Sequence, residues 1–273
     1  MCESCGCNRE EDFRVETGAG ESSGFHVHRG EDGKAHVHRH PPAARNLDVH
    51  QSVLSENDRL AERNRGYFQA RKVNVLNLIS SPGAGKTALL ERTLADLSDS
   101  VRMAVVVGDL ATENDARRLR GRGAEVIQVT TGTLCHLDAA MIRSSLEALE
   151  LDEVDHLFIE NVGNLVCPAS FDLGESLRVV LLSVTEGEDK PLKYPPAFKA
   201  ADLVILTKTD LIEATGFDRA AALDTLRRVA PQASVIELSA RTGEGLEAWY
   251  RFIAEDLNEA RHVRGDKGGH HGE

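Results

Sequence analysis

The most constraining feature of the sequence is a junction where an apolar run meets a helix-forming stretch through a loop of small residues. The apolar run covers 73–80, the loop reads Ser-Pro-Gly-Ala-Gly-Lys-Thr over 81–87, and the helical stretch covers 88–97. A buried strand that ends in such a loop lets backbone N–H groups approach a polyphosphate, and the helix N-terminus adds partial positive charge. The junction therefore predicts a phosphate-binding loop.

Each position of this loop has an expected role. Lys86 is expected to pair with the β- and γ-phosphates, and the Thr87 hydroxyl is expected to hold Mg²⁺. The pattern G-x-x-x-x-G-K-[ST] has one departure here, because Ser80 stands in place of its first glycine. The alternative is an accidental turn before a helix, which the run Gly-x-Gly-Lys-Thr at this junction disfavours. The expected nucleotide contacts are Pro82, Gly83, Ala84, Gly85, Lys86, Thr87 and Ala88.

Composition excludes several classes of partner. The 273-residue chain has a formal net charge of −12, whereas a sequence-independent grip on nucleic acid needs a basic face. No apolar run approaches the roughly 20 residues needed to cross a bilayer, and charges occur throughout the first thirty residues. We therefore expect a cytoplasmic protein that binds neither nucleic acid nor a membrane. Five cysteines, three of them crowded at the N-terminus, favour reduced metal-binding thiols over disulfides.

Short apolar runs alternate with helical patterns along most of the chain. This alternation predicts an α/β fold: a mostly parallel P-loop NTPase sheet of about seven strands, with helices on both faces. We expect a flexible, disordered Cys/His-rich metal-binding arm at 1–45, a GTPase domain at 46–260 that opens with a helix at 46–69, and a mobile tail at 261–273. The predicted strands are 73–80, 103–108, 125–129, 156–160, 177–184, 202–207 and 234–238.

Two carboxylates follow predicted strands next to the phosphate-binding loop. Asp109 ends the strand at 103–108, and Glu160 ends the strand at 156–160. Ligands gather at the carboxyl ends of parallel strands, so these side chains are expected to hold Mg²⁺, directly or through water, and to position an attacking water. The alternative is that either is an ordinary acid at a strand end.

Two later strand ends resemble the base-reading loops of GTPases. Lys208 and Asp210 lie in Thr-Lys-Thr-Asp, and Ser239 and Ala240 follow about thirty residues later. Guanine presents two adjacent N–H donors that the Asp210 carboxylate can accept together, whereas adenine would place a lone pair there. The Lys208 stem would pack along the ring. Thr207 stands where asparagine is usual, and a simple surface turn is the alternative.

Cysteine and histidine residues form two candidate metal sites. Cys135 and His136 are expected to open a helix and Cys167 follows a strand end, so two thiols and an imidazole could meet and bind Zn²⁺ or Ni²⁺. Three ligands from one chain leave a tetrahedral site incomplete unless a symmetric partner adds more. Buried inert cysteines are the alternative.

The second candidate lies at the N-terminus. Cys2, Cys5 and Cys7 lie within six residues and next to a free amine, which suits one Ni²⁺, although a solvated redox-prone tail is the alternative. Six histidines follow and could store metal weakly or simply add surface polarity; they are His26, His28, His36, His38, His40 and His50.

Several strings together resemble the hydrogenase nickel-incorporation GTPase family HypB, a group of SIMIBI-class P-loop GTPases. They are C-x-x-C-G-C, L-I-S-S-P-G-A-G-K-T, V-V-G-D, C-H-L-D-A-A-M-I, I-E-N-V-G-N-L-V-C-P, K-Y-P and L-T-K-T-D-L. The resemblance implies a homodimeric GTPase that binds GTP and GDP and helps load Ni²⁺ into the large subunit of [NiFe]-hydrogenase, together with nickel-delivery partner proteins. It also implies a high-affinity nickel site on Cys2, Cys5 and Cys7, and a nickel or zinc site on Cys135, His136 and Cys167 at the dimer interface. The missing first glycine is usual in that family.

Three functional hypotheses remain at this point. The first is a GTPase switch, in which GTP orders the loops at Asp109 and Glu160, dimerisation follows, and hydrolysis releases the metal-transferring state. The second is a non-catalytic nickel store with a vestigial nucleotide site, which the intact Lys86 and Thr87 disfavour. The third is the sister urease-maturation GTPase, which shares the fold but lacks the C-x-x-C-G-C start.

Overall fold

The computed structural model describes the backbone of residues 25–29, 35–39, 44–110 and 114–265, and the side chains of 52–110 and 114–255. The chain divides into two units, Met1–Ser55 and Glu56–Glu273. In the first unit, β1 (Phe25–Arg29) pairs antiparallel with β2 (Ala35–Arg39). The register places His26 opposite His38 and His28 opposite His36, so four histidine positions share one face of the hairpin. Both strands lie within the predicted arm, whose flexibility and metal binding stay predictions.

Seven parallel strands form one sheet in the second unit. The seven predicted strands are confirmed, with bounds that differ by at most one residue. All are rich in apolar residues because helices cover both faces of the sheet. The strands are β3 (Asn74–Ser80), β4 (Met103–Asp109), β5 (Glu125–Thr130), β6 (His156–Glu160), β7 (Leu177–Ser183), β8 (Leu203–Thr207) and β9 (Ser234–Leu238). Their spatial order across the sheet is β5-β4-β6-β3-β7-β8-β9.

The predicted opening helix at 46–69 is α1, which extends two residues further at each end. No helix in the described part of the chain is long and apolar enough to span a membrane. Single 3₁₀ turns lie at Leu146–Ala148, Leu151–Glu153, Pro168–Ser170, Val184–Glu186 and Thr209–Leu211. The helices are α1 (Ala44–Arg71), α2 (Lys86–Leu97), α3 (Asn114–Leu119), α4 (Ala139–Ser145), α5 (Lys190–Lys193), α6 (Pro195–Lys199), α7 (Ile212–Thr215), α8 (Arg219–Val229) and α9 (Leu246–Gly265).

The alternation of side chains along β3 divides the core into layers. Leu76 and Leu78 face a layer that includes Leu90 of α2 and Trp249 of α9. On the other face, Val75 packs with residues of α1 and α4, and Ile79 packs with residues of α6 and α8. Because every strand of this sheet runs in the same direction, the carboxyl ends of β3, β4, β6 and β8 meet at one edge, where the candidate site lies.

Candidate nucleotide and metal sites

The phosphate-binding loop connects β3 to α2 and bounds a cavity of about 500 Å³. Gly83 and Gly85 adopt φ values of +74° and +105°, in a left-handed region that residues other than glycine rarely adopt. The loop therefore turns tightly and leads directly into the first turn of α2, which Lys86 opens. Of the predicted phosphate contacts, those lining this cavity are Pro82, Gly83, Gly85, Lys86, Thr87 and Ala88.

Ser80, which replaces the first glycine of the motif, has a structural role in the loop. Its hydroxyl is fully buried, accepts a 2.9 Å hydrogen bond from Nζ of Lys86, and donates to the carbonyl of Ser81 at 2.7 Å. Burial lowers the pKa of the Lys86 ammonium. A glycine at position 80 would offer no such acceptor, so the serine compensates part of the desolvation of Lys86.

Thr87, Glu160 and Asp109 converge on the phosphate cavity. The Thr87 hydroxyl donates a 2.6 Å hydrogen bond to Oε1 of Glu160, and Asp109 lines the same cavity from the end of β4. Burial raises the pKa of Glu160 to about 7, with the Lys86 charge opposing the rise. Among the described residues, Oε2 of Glu160 lacks a hydrogen-bond partner. Hard oxygen ligands of this kind fit Mg²⁺.

Two residues that the sequence analysis missed also line the phosphate cavity. Asp115 and Arg118 lie three positions apart on α3 and therefore share one helix face. Nη2 of Arg118 donates a 2.9 Å hydrogen bond to Oε2 of Glu91 on α2. The available signal was a charged pair at helical spacing soon after Asp109, but only the packing of α3 against α2 brings it to the cavity.

The base-reading loop is tied to the phosphate-binding loop at two points. The Thr207 hydroxyl donates to the carbonyl of Ala84 at 2.7 Å, and Nζ of Lys208 donates to the carbonyl of Gly83 at 2.7 Å. Lys208 adopts a left-handed φ of +59°. Thr207, although it departs from the usual asparagine, thus supplies a side-chain donor that reaches the neighbouring loop.

Asp210 lies in a second cavity of about 190 Å³, beside the first. Its Oδ1 accepts a 2.6 Å hydrogen bond from the Ser239 hydroxyl, and its Oδ2 accepts from Nε and Nη2 of Arg241 at 3.0 and 2.8 Å. The Ser239 bond in particular lowers the pKa of Asp210, so the carboxylate is ionised at neutral pH. Ala84 and Ala240 also line this cavity. Gly85, Ala88 and Lys208 line both cavities, so every predicted phosphate and base contact borders one of two adjacent cavities, which together we call the nucleotide groove.

The structure brings Cys135, His136 and Cys167 together. One potential ligand atom from each lies within 4.8 Å of the other two, and neither cysteine forms a disulfide. Ligand atoms around a tetrahedral Zn²⁺ lie about 3.5 Å apart, given bond lengths of about 2.0–2.3 Å, so a small closure would bring these three donors to metal-binding separations. The cluster fits a soft or borderline metal ion. The other predicted thiol site, Cys2, Cys5 and Cys7, lies outside the described residues.

His136 is held in an environment suited to a neutral ligand. It is 3% exposed, its ring stacks on Phe171 with centroids 3.9 Å apart, and burial lowers its pKa. Within the part of the chain that the structure describes, its Nδ1 is buried without a hydrogen-bond partner. A neutral imidazole keeps a lone pair available for a metal ion.

Comparison with known proteins shows which family the chain is similar to. Residues 74–237 match the family of CobW/HypB/UreG nucleotide-binding domains. The chain is 56% identical over 209 residues to hydrogenase maturation factor HypB of Escherichia coli K12, covering 77% of this chain and 72% of that protein.

Solved structures agree as well. The crystal structure of HypB from Helicobacter pylori in complex with nickel has a TM-score of 0.72 and 42% identity, covering 75% of this chain and 96% of that one. HypB from Archaeoglobus fulgidus has a TM-score of 0.70 and 40% identity, covering 74% and 99%. With a P-loop sheet, a nucleotide groove and a thiol-imidazole cluster on one scaffold, this chain belongs to the HypB family of hydrogenase maturation factors.

Proposed function

We propose that this chain is a GTP-hydrolysing nickel metallochaperone that helps insert nickel into the large subunit of [NiFe]-hydrogenase during maturation. One observation carries the proposal: the segment from Glu160 to Cys167 joins the phosphate cavity to the thiol-imidazole cluster. Within it, Nδ2 of Asn164 donates to the carbonyl of Cys135 at 3.4 Å. Two relatives support this proposal: the Escherichia coli protein is named a hydrogenase maturation factor, and the Helicobacter pylori protein was solved in complex with nickel.

The groove supports GTP as the nucleotide. Asp210 would accept the two adjacent N–H donors of guanine, with Ser239 orienting its carboxylate and the backbone of Ala240 beside the base. Lys86 would release Ser80 and neutralise the β- and γ-phosphates.

Hydrolysis would depend on the other end of the groove. Mg²⁺, when bound by Thr87 and by the carboxylates of Asp109 and Glu160, would neutralise charge on the phosphates. One of these two carboxylates, Asp109 or Glu160, would face the γ-phosphate and orient the attacking water.

The thiol-imidazole cluster supports nickel or zinc as the bound metal ion. Cys135, His136 and Cys167 supply three donors, and a second copy of the chain would supply the ligands that one copy lacks. We propose a GTP-dependent homodimer in the cytoplasm that passes nickel to or from partner proteins of hydrogenase maturation. A tight nickel site on Cys2, Cys5 and Cys7 belongs to the same proposal.

The test is a metal titration in two nucleotide states. The full chain with Cys2, Cys5 and Cys7 changed to serine is titrated with Ni²⁺ in the presence of GDP, then of a non-hydrolysable GTP analogue. Cys167 lies seven residues after Glu160, so nucleotide exchange should change the metal dissociation constant by roughly 5–150-fold, a usual coupling range. Cys167→Ala should remove the difference. Superimposable curves for the unsubstituted cluster, or no GTP turnover in the full chain, would contradict the proposal.

A further inference from the structure

Asn161 is a buried polar residue between the phosphate cavity and the metal cluster. It directly follows Glu160 at the end of β6, is 1% exposed, and lines the phosphate cavity. Its Oδ1 accepts a 3.1 Å hydrogen bond from the backbone N–H of Leu137, which directly follows His136. The backbone of a metal-ligating segment is thereby attached to the residue next to the phosphate-facing carboxylate.

The remaining bonds of Asn161 fix the orientation of its amide. Nδ2 donates to Oδ1 of Asn77 at 3.2 Å, and the Asn77 amide in turn donates to Oε1 of Glu175 at 3.1 Å. Oδ1 also accepts from the N–H of Val162 at 3.0 Å. Rotation of the buried Asn161 amide would break the three hydrogen bonds that its own Oδ1 and Nδ2 make, which leaves buried polar groups unsatisfied. The amide therefore moves with its backbone.

Tight packing on both sides of Asn161 leaves little room for independent movement. A Cβ on Gly108, which borders the phosphate cavity, would lie 2.7 Å from Cγ of Leu137. A Cβ on Gly163 would lie 3.0 Å from Cα of Pro82 in the phosphate-binding loop. Because packed interiors transmit displacement and do not absorb it, a shift of the loop or of β4 must reach Asn161 and Leu137.

We propose that Asn161 is the positioning residue that transmits the nucleotide state of the phosphate cavity to Cys135 and His136. This inference rests on the proposed function, since it takes a guanine nucleotide and a soft metal ion as the two ligands. It deepens that function by naming the connection: the Asn161 carboxamide moves the backbone after His136, while the chain continuing from Asn161 moves Cys167.

The first test compares two buried asparagines. Asn64 is also 1% exposed, and its Nδ2 donates to the carbonyls of Ala139 and Leu173 at 2.9 and 3.2 Å, away from the phosphate cavity. Zn²⁺ affinity is measured on the full chain with Cys2, Cys5 and Cys7 changed to serine. Each variant is titrated at saturating GDP and at a saturating non-hydrolysable GTP analogue, after thermal unfolding has shown that it is folded.

The measured quantity is the ratio of the two Zn²⁺ dissociation constants. We expect a ratio of about fivefold or more in the unsubstituted cluster, a ratio within about twofold of unity in Asn161→Ala, and an unchanged ratio in Asn64→Ala. A retained ratio in Asn161→Ala, or an equal loss in Asn64→Ala, would overturn the role of Asn161. A ratio near unity before substitution would overturn the coupling itself, whereas GTP turnover and metal binding test the rest of the proposed function separately.

The second test needs no substitution at Asn161 and therefore stands even where that variant does not fold. Amide exchange of Leu137 is followed by NMR in both nucleotide states. The amide of Ala139, which donates to Oδ1 of Asn57 at 2.9 Å, is the internal control. We expect the Leu137 exchange rate to change by about fivefold or more between the states, with Ala139 unchanged. Equal rates at Leu137, or equal changes at both amides, would overturn the inference.

Discussion

The hydroxyl of Thr87 and the carboxylate of Glu160 meet at 2.6 Å across the phosphate cavity, joining the first turn of α2 to the end of β6. Seventy-two residues separate the two positions along the chain, and only the pairing of β3 with β6 places them together. Glu160 is otherwise enclosed, and this burial has a measurable consequence for the nucleotide-free protein.

Stability of the nucleotide-free protein should depend on the ionisation of Glu160. Its folded pKa of about 7 exceeds the ordinary value of 4.5, so Glu160 contributes stability in full below about pH 4.5 and loses it as pH rises through about 7. Each pH unit in that window is worth at most about 1.4 kcal/mol. In EDTA, the unfolding free energy of Glu160→Gln minus that of the parent protein should therefore increase between pH 5 and 8. Parallel pH profiles would show that Glu160 is not buried as described.

Lys86→Ala should abolish GTP turnover while the protein stays folded. The ammonium is needed for phosphate charge and Lys86 is not a member of the hydrophobic core, so a loss on the order of 10²–10³-fold in kcat is expected. The exposed Lys199 at the end of α6 offers a matched control, and Lys199→Ala should turn over normally. Unchanged turnover in Lys86→Ala, alongside an unchanged melting temperature, would remove Lys86 from the site.

Asp210→Asn should weaken GTP binding and improve binding of a xanthine nucleotide. The amide presents a donor where the carboxylate accepted, and hydrogen bonds to charged groups are worth about 1.5–3 kcal/mol, or roughly 10–100-fold in affinity. Competition assays with GTP, ATP and XTP on both proteins measure this directly. Equal competition by ATP and GTP for the unsubstituted protein would show that Asp210 does not read the base.

Arg241→Ala should strengthen GTP binding. Arg241 occupies Oδ2 of Asp210, which guanine would need, although the arginine side chain is 78% exposed. Exposed ion pairs contribute little, so removing this competitor should raise GTP affinity by no more than about fivefold. Arg251→Ala, an exposed substitution on α9, serves as the control. Weaker GTP binding in Arg241→Ala would mean that the guanidinium contacts the nucleotide itself.

Changing Cys2, Cys5 and Cys7 to serine should remove one tightly bound nickel and leave GTP turnover nearly unchanged. These thiols precede the phosphate-binding loop by more than seventy residues, including Pro41-Pro42, so the two activities should be independent. Equilibrium dialysis against ⁶³Ni²⁺ with a parallel phosphate-release assay checks both. A full nickel count in the serine variant would rule out the N-terminal thiol site.

Much of the groove was predictable because its signals are local. The left-handed backbone of the phosphate-binding loop requires glycine at positions 83 and 85. Asp210 and Ser239 each follow a strand whose apolar run is evident in the sequence. By contrast, Arg241 and Asn161 gave no signal and Arg118 gave only its helical spacing from Asp115, since each acquires its partner through packing between segments that are distant in the sequence. The Asn77–Asn161 bond, for example, joins positions 84 apart in the sequence.

The parallel sheet, the phosphate-binding loop and the chemical types of the metal ligands follow from the amino-acid sequence alone. Apolar runs, small residues and thiols act over a few neighbouring positions, and their spacing alone carries that information. Folding of the whole sheet was needed to bring Thr207 to Ala84 and Asn161 to Leu137. The physical reason is that a buried hydrogen bond requires both partners to be brought together, and this depends on the order of strands in the sheet.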